Sequence, residues 1–267
     1  MADAGGDRDR DLAACLDAAR AAAALLAEGH GRAQPARSKG GPLDLVTEFD
    51  RRAEEIIVAR LRRHDPNALV VAEESGRQGS HEAARVYWVD PLDGTTNFAH
   101  GLPLFSISIA LYQDGLPRAA VVMAPALGWE FAAASGQGAT CNGTPLHVSA
   151  TERLADALLT TGFPYDRRES ADNNFRRFEA FAQLTHGVRR LGSAALDLCS
   201  VARGWFDGYW EHKLKPWDIA AGVLIAAEAG ARTTAFDGGP VSIERGEVVA
   251  TNGLIHDALL EVLRQVP

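Results

Sequence analysis

The chain has 267 residues, 46% hydrophobic and 23% charged, with a formal net charge of −8. That is enough apolar content for the core of one large domain or two subdomains. The acid excess argues against a nucleic-acid partner held by bulk electrostatics, and no apolar run is long enough to span a bilayer, so no membrane partner is expected.

Residues 1–10 are small and polar and read as disordered. Residues 11–28, rich in Ala and Leu, predict a helix ended by Gly29-His30-Gly31. "RSKGGPLDLV" is a loop carrying Lys39. "TEFDRRAEEIIVARLRRH" opens with a T-x-x-D capping pattern and keeps helical spacing at Phe49, Ala53, Ile56, Ile57 and Leu61 until Pro66-Asn67. "ALVVAEES" and "RVYWVD" are short apolar strands whose tips carry Glu73 and Asp90. "FSISIALYQ", an Asp114-Gly115 turn, "PRAAVVMAPA" and "WEFAAAS" predict an antiparallel meander. Beyond about residue 150 helices and strands alternate, with helices over 172–186, "GSAALDLCSVARG", "WDIAAGVLIAAEAG" and "HDALLEVLRQ". The expected division is an N-terminal α+β subdomain over 11–150 and a C-terminal α/β subdomain over 151–267. The three scattered cysteines, Cys15, Cys141 and Cys199, lack C-x-x-C spacing and read as reduced thiols of a cytoplasmic protein rather than a zinc site.

Four acids share a type of position. Glu73 and Asp90 end strands, Asp93 lies just beyond, and Asp218 opens a helix after Lys-Pro-Trp. A single such acid is ordinarily a helix cap or a solvated loop residue. Asp90-Pro91-Leu92-Asp93 is different: two acids are held close with no basic neighbour in the sequence, and a cation relieves that repulsion. Mg²⁺ takes oxygen ligands of this kind, and the Leu92 carbonyl can join them. Gly94-Thr95-Thr96 follows as a small, amide-rich turn suited to a phosphate, and the Thr95 hydroxyl suits the orientation of a water.

"DPLDGTTNF" and "KPWDIAAGVLIAAEAG" resemble the two signatures of the inositol monophosphatase family. "DLVTEFD", "AEES", "TGFPYD" and "RLGSAALDLCSVARGWFDGYWE" fall in the order and spacing of that family, so the resemblance runs from about residue 12 to 263. It implies an α/β fold, a layered αβαβα sandwich of two subdomains, and a homodimer. It implies Mg²⁺ as cofactor, two or three ions, with Mn²⁺ as substitute and Li⁺ as inhibitor. Carried over residue by residue, Glu73, Asp90 and the Leu92 carbonyl hold one metal, Asp90, Asp93 and Asp218 a second, and Glu73 helps a third. Asp50 and Thr95 position the attacking water. Gly94, Thr95 and Thr96 contact phosphate, Gly192, Ser193 and Ala194 form a substrate-side turn, and Glu211 meets sugar-ring hydroxyls. Lys39 matches a loop lysine near the metals; Arg189 and Arg190 read as a substrate-side or dimer-interface charge, Arg189 matching a subunit-contact or pocket-edge arginine, while Lys213 and Lys215 read as solvated.

The implied activity is hydrolysis of a small phosphorylated polyol such as inositol 1-phosphate by metal-activated water. Fructose 1,6-bisphosphate and histidinol phosphate stay open as substrates, as does a non-catalytic role in transcription. "LDGTT" also resembles the haloacid-dehalogenase signature, but the acids here are D-x-x-D rather than D-x-D, and the motif is not on the first strand.

Overall fold

The computed structural model describes residues 4–31, 36–38 and 45–266. Lys39 lies outside them. Helix α1 (Ala4–Gly29) is followed by short paired strands β1 (Arg37–Ser38) and β2 (Leu45–Val46), then helix α2 (Glu48–His64). Next come β3 (Leu69–Ala72), β4 (Gly76–Gln78), β5 (Arg85–Asp93) and the one-turn helix α3 (Thr95–Ala99). The meander is β6 (Ser106–Gln113), β7 (Leu116–Ala124), β8 (Trp129–Ala134), β9 (Ala139–Cys141) and β10 (Thr144–Pro145). The remainder is β11 (Leu158–Thr161), α4 (Phe175–Leu184), β12 (Gly187–Arg189), α5 (Ala194–Ala202), β13 (Gly208–Glu211), α6 (Pro216–Glu228), β14 (Arg232–Thr234), β15 (Val248–Thr251) and α7 (His256–Gln265).

Strands β3 to β10 form an eight-stranded sheet in the order 10-9-8-7-6-5-3-4. Strands β11 to β15 form a five-stranded sheet in the order 12-11-13-15-14. Both faces of the large sheet are apolar, which follows from its alternation. Val70, Tyr87, Val89, Ile107, Ile109 and Val121 pack under α1 and α2. Leu69, Val71, Trp88, Ala110 and Val122 pack under α5 and α6. The small sheet repeats the scheme: Tyr209, Val248 and Ala250 face α5 and α6, while Leu159, Trp210 and Val249 face α4 and α7. The result is five layers, αβαβα, as expected. The change of pattern after β10 marks the passage from one sheet to the other, but α5 and α6 share one core cluster with the large sheet. Among the described residues no helix is long and apolar enough to cross a membrane. Cys15, Cys141 and Cys199 are all buried and free.

Two expectations are corrected. Residues 4–10 are not irregular: α1 begins at Ala4. Asp7 sits in its first turn and pairs with Arg10, and Asp11 anchors the helix to the sheet by accepting from Arg85 at 2.7 Å and Arg118 at 3.1 Å. Strand β5 does not end at Asp90. It runs to Asp93 with a shift of register, Asp90 opposite Ser108 and Asp93 opposite Ser106. Three steps on one strand against two on the next make a β-bulge, and Pro91, which has no N–H to give to a ladder, lies inside it.

His256, fully buried at the start of α7, ties the edge of the small sheet together. The Thr234 hydroxyl donates to the Ala235 carbonyl at 2.8 Å, so its oxygen accepts from Nε2–H at 2.9 Å. Nδ1 is then the acceptor of the Thr251 hydroxyl, also at 2.9 Å. This network fits a neutral ring, and burial, aided by Arg232, lowers the pKa to about 4. Above the unfolded value of about 6.5 the ring is neutral in both states. As pH falls from there toward 4, the unfolded chain takes a proton that the folded one refuses, so stability drops by about 1.4 kcal/mol per unit at most. Denaturant titrations at pH 7 and pH 5 are expected to show this loss, and His256→Gln, which cannot charge, to reduce it.

Candidate active site

Strands β3 and β5 are parallel and in register at Ala72 and Val89, so their next residues, Glu73 and Asp90, lie side by side, Glu73 just past its strand and Asp90 still paired with Ser108. The bulge then brings Leu92 and Asp93 to the same edge. Leu92 N–H donates to Asp90 Oδ1 at 2.9 Å, which fixes that carboxylate. Asp218 arrives from the other half at the start of α6, where Pro216 occupies the first turn and Lys215 N–H donates to Asp218 Oδ2 at 2.7 Å. Ser108 holds this helix start to the large sheet by donating to the Trp217 carbonyl at 3.0 Å. Glu73, Asp90, Leu92, Asp93 and Asp218 all line one cleft of about 270 Å³ between the two sheets.

Burial and crowding raise the proton affinity of the three aspartates. Burial first, then Glu73, Asp93 and Asp218, push the Asp90 pKa well up. Burial, then Asp93 and Glu73, do the same to Asp218. Asp93 rises only to about 6, because donors from the N-terminus of α5 oppose its burial. Ser193 Oγ–H reaches Asp93 Oδ2 at 2.7 Å and Ala195 N–H reaches it at 2.8 Å. Among the described residues no three His, Cys, Asp or Glu side chains are grouped so as to hold a metal ion by themselves. The acids stand instead around an open cleft, with one oxygen of each aspartate committed to a protein donor. Mg²⁺ keeps several waters and takes only a few carboxylates plus substrate phosphate. An open set of carboxylates and one carbonyl, mutually repelling, fits such an ion.

Behind this edge, Asp50 is almost fully buried in the first turn of α2. It closes the capping box expected from the sequence, with Oδ2 accepting from Thr47 N–H at 2.7 Å and Thr47 Oγ–H at 2.6 Å. Its Oδ1 lies 2.9 Å from Thr95 Oγ1, which is also 3.0 Å from the Leu92 carbonyl. Thr95 thus stands between the buried acid and the cleft. Gly94 precedes it with φ of 94°, and a side chain there would press on the backbone of Leu104 and Gly192. Glu74 is not in the cleft. Its amide is held by Glu54 at 2.7 Å.

The far wall comes from the second half. Gly192, Ser193, Ala194 and Glu211 line it, as expected. Glu211 Oε2 accepts from Tyr209 at 2.8 Å, and burial raises the Glu211 pKa to about 7. Gly162 faces it, and a Cβ there would overlap the Glu211 carboxylate. Asn174 holds Gly162 in place by donating to its carbonyl at 2.6 Å. The Arg189–Arg190 pair divides: Arg190 lines the cleft, whereas the Arg189 guanidinium folds back to the Val188 carbonyl at 3.3 Å. Lys213 and Lys215 stand at the rim of the cleft and are exposed, and Lys213 pairs with Asp166 at 2.7 Å. Thr96 is exposed and is not part of the lining. Asp197 was not anticipated. It is buried, lines the cleft and accepts from Thr160. Only its place inside "GSAALDLCS", at a buried helix position, hinted at it.

The inositol monophosphatase family model matches residues 7–267. The chain belongs to the inositol monophosphatase family. It is 44% identical to an inositol-1-monophosphatase of Synechocystis over 96% of its own length and 89% of that protein's. It is also 45% identical to the Nus factor SuhB of Pseudomonas aeruginosa, over 83% of each chain. The solved inositol monophosphatase of Anabaena superposes with a TM-score of 0.87 at 44% identity, covering 96% of both chains. A solved IMPase/NADP phosphatase complexed with Mg²⁺ and phosphate superposes with a TM-score of 0.75 at 25% identity, covering 86% of this chain and 85% of its own. The family is one of phosphatases.

Gly162→Ala tests the fit of that wall. Displacing the Glu211 carboxylate is expected to lower kcat/KM for a polyol phosphate about tenfold, some 1.4 kcal/mol of transition-state binding. Adding Glu211→Gln in the same chain is expected to cost little more, because the two changes act on one contact. Fully additive losses in phosphate-release assays would show that Gly162 does not act through Glu211.

Proposed function

We propose that this phosphatase hydrolyses inositol 1-phosphate to inositol and phosphate, with Mg²⁺ as its cofactor. The observation that carries the reading is the pairing, in one cleft, of four mutually repelling carboxylates with a hydroxyl-seeking acid, Glu211, on the opposite wall. The relatives named inositol-1-monophosphatase support it. When bound, Mg²⁺ supplies charge neutralisation at the phosphate and lowers the cost of deprotonating a water. Glu73, Asp90, Asp93, Asp218 and the Leu92 carbonyl would hold it.

The chain's own groups do the rest. Thr95 Oγ1 accepts a proton from the attacking water while its own proton passes to Asp50 Oδ1, along the 2.9 Å bond already formed. Asp50 is poised for this by Thr47, which fixes the other oxygen. The amides of the Gly94-Thr95 turn face the phosphate. Attack breaks the bond between phosphorus and the alcohol oxygen, which then takes a proton from solvent. Glu211 and Ser193 orient the departing polyol. No aspartyl-phosphate intermediate is needed. Family membership extends the proposal to a homodimer in the cytoplasm.

A role in transcription is the second reading, because one relative is the Nus factor SuhB. The full set of acids in the cleft favours catalysis.

Asp93→Asn keeps an acceptor for Ser193 and Ala195 but removes the charge. It is expected to fold normally and to lower Mg²⁺-dependent phosphate release about a thousandfold, the scale of lost electrostatic stabilisation at a reaction centre. Calorimetry with Mg²⁺ should show weakened binding in parallel. Full activity in this variant would overturn the site assignment. The substrate is settled by a Mg²⁺ panel of inositol 1-phosphate, fructose 1,6-bisphosphate, histidinol phosphate and 3′-phosphoadenosine 5′-phosphate.

A further inference from the structure

One side of the cleft is a lip, residues 163–173, that joins β11 to α4 without helix or strand. Phe163, Pro164 and Tyr165 line the cleft from it. Its root is fixed, because the Phe163 ring packs on Phe175 and Phe178 of α4 with centroids 5.0 and 5.6 Å apart. Its outer part is one closed turn, in which the amides of Glu169 and Ser170 both donate to the Asp166 carbonyl at 2.9 Å. That turn supplies no residue to the apolar core, so polar ties hold it. They come from the end of β13, where neighbouring residues divide the work. Glu211 lines the cleft. His212 Nε2 lies 3.2 Å from Asp172 Oδ1, which Arg177 of α4 also holds at 2.8 Å. Lys213 Nζ donates to Asp166 Oδ2 at 2.7 Å and to Ser170 Oγ at 2.8 Å, and so spans the closed turn. Lys213 does this from an unusual backbone, with φ of 60°. The other described non-glycine residues with positive φ are Asp114, Asn142 and Asn174, types whose short polar side chains suit that conformation, an advantage lysine lacks. The next residue imposes the turn: Leu214 N–H donates to the Gly246 carbonyl at 2.9 Å, and Gly246 presses so closely on the Leu214 backbone that no Cβ fits.

We propose that Lys213 is a positioning residue: it latches the lip against the leaving group, and the latch sets a preference for a cyclic polyol over a smaller open-chain alcohol. The inference rests on the phosphatase reading and deepens it. A ring polyol fills the space between Glu211, which takes its hydroxyls, and the carbon-rich face of Phe163, Pro164 and Tyr165. A small open-chain alcohol, held by its phosphate at the acidic edge, gains less from that face. The latched side chains of Lys213 and Asp166 are 34% and 48% exposed, so the tie is weak and yields to salt. A weak tie beside the substrate acid lets the lip part for entry and settle again on a ring that fits.

The test compares the wild-type chain with Lys213→Asn, Asp166→Ala and the double variant. Asparagine suits the left-handed backbone at 213 but is too short to reach the lip, and Asp166 is exposed on the lip itself, so both single variants are expected to fold. Trypsin reads the lip directly, because Arg167 and Arg168 lie within it. Cleavage after these two residues is expected to run about fourfold faster in each variant than in the wild type, the scale of a half-exposed ion pair, and the difference to close in high salt. With Mg²⁺ present, the ratio of kcat/KM for inositol 1-phosphate over glycerol 2-phosphate is expected to fall about fourfold in each single variant, mainly through KM, and no further in the double variant. Equal cleavage of wild type and variants overturns the latch, whichever ester the chain hydrolyses. Faster cleavage with an unchanged ratio overturns its part in substrate choice, and additive losses of the ratio show that the two residues do not act through one bond. Should the wild type prefer another ester of the panel, the ratio is taken with that ester while the cleavage result stands unchanged, so a wrong substrate and a failed latch give different outcomes.

Discussion

Like charges brought together are the constraint on which this structure turns. Glu73, Asp93 and Asp218 raise the proton affinity of Asp90, and Asp93 and Glu73 that of Asp218, and a flexible chain would let them drift apart. The fold prevents this by committing one oxygen of each aspartate to a fixed donor. Asp90 is held by the amide two residues on, Asp218 by the amide three residues back, and Asp93 by a helix start from the other half of the chain. Each donor is part of the backbone or is braced by it, so the carboxylates keep fixed positions at the cleft. The repulsion that remains is what a divalent cation relieves.

The same bonds explain why the halves cannot be understood apart. Asp93 belongs to the large sheet, yet its partners Ser193 and Ala195 begin α5. Asp218 begins α6, yet α6 is seated by Ser108 of the large sheet. Asn97 adds a third tie, donating to the Leu104 and Leu191 carbonyls at 2.6 and 2.8 Å. Both α5 and α6 are packed in the apolar layer between the sheets. A change in that layer therefore moves acids in the cleft as well as altering stability.

The sequence carried much of this, unevenly. The layer order came from the family resemblance, while the strands themselves were legible as short apolar runs buried on both faces. The acidic edge was legible because strand tips and a helix start are positions that local pattern locates, and because the Thr47–Asp50 box is local. The bulge at Pro91 was not, since a strand that bends and continues reads like one that stops. Nor was the mouth of the cleft. Arg189 and Arg190 are adjacent and alike, and only the course of the chain into Gly192 decides which one enters. Asp197 was hidden for a related reason: its partner Thr160 lies on another strand, so no spacing joins them.

That unevenness follows the chemistry. The reacting end is built from short-range devices: a bulge, a capping box, a left-handed glycine and two helix starts. Such devices leave compact motifs, because backbone geometry admits few residues at each position. The leaving-group end is assembled from side chains on separate elements, Glu211 against Gly162 and Arg190 against Gly192, which meet only in three dimensions. Relatives of similar identity to this chain bear names as different as inositol-1-monophosphatase and Nus factor SuhB.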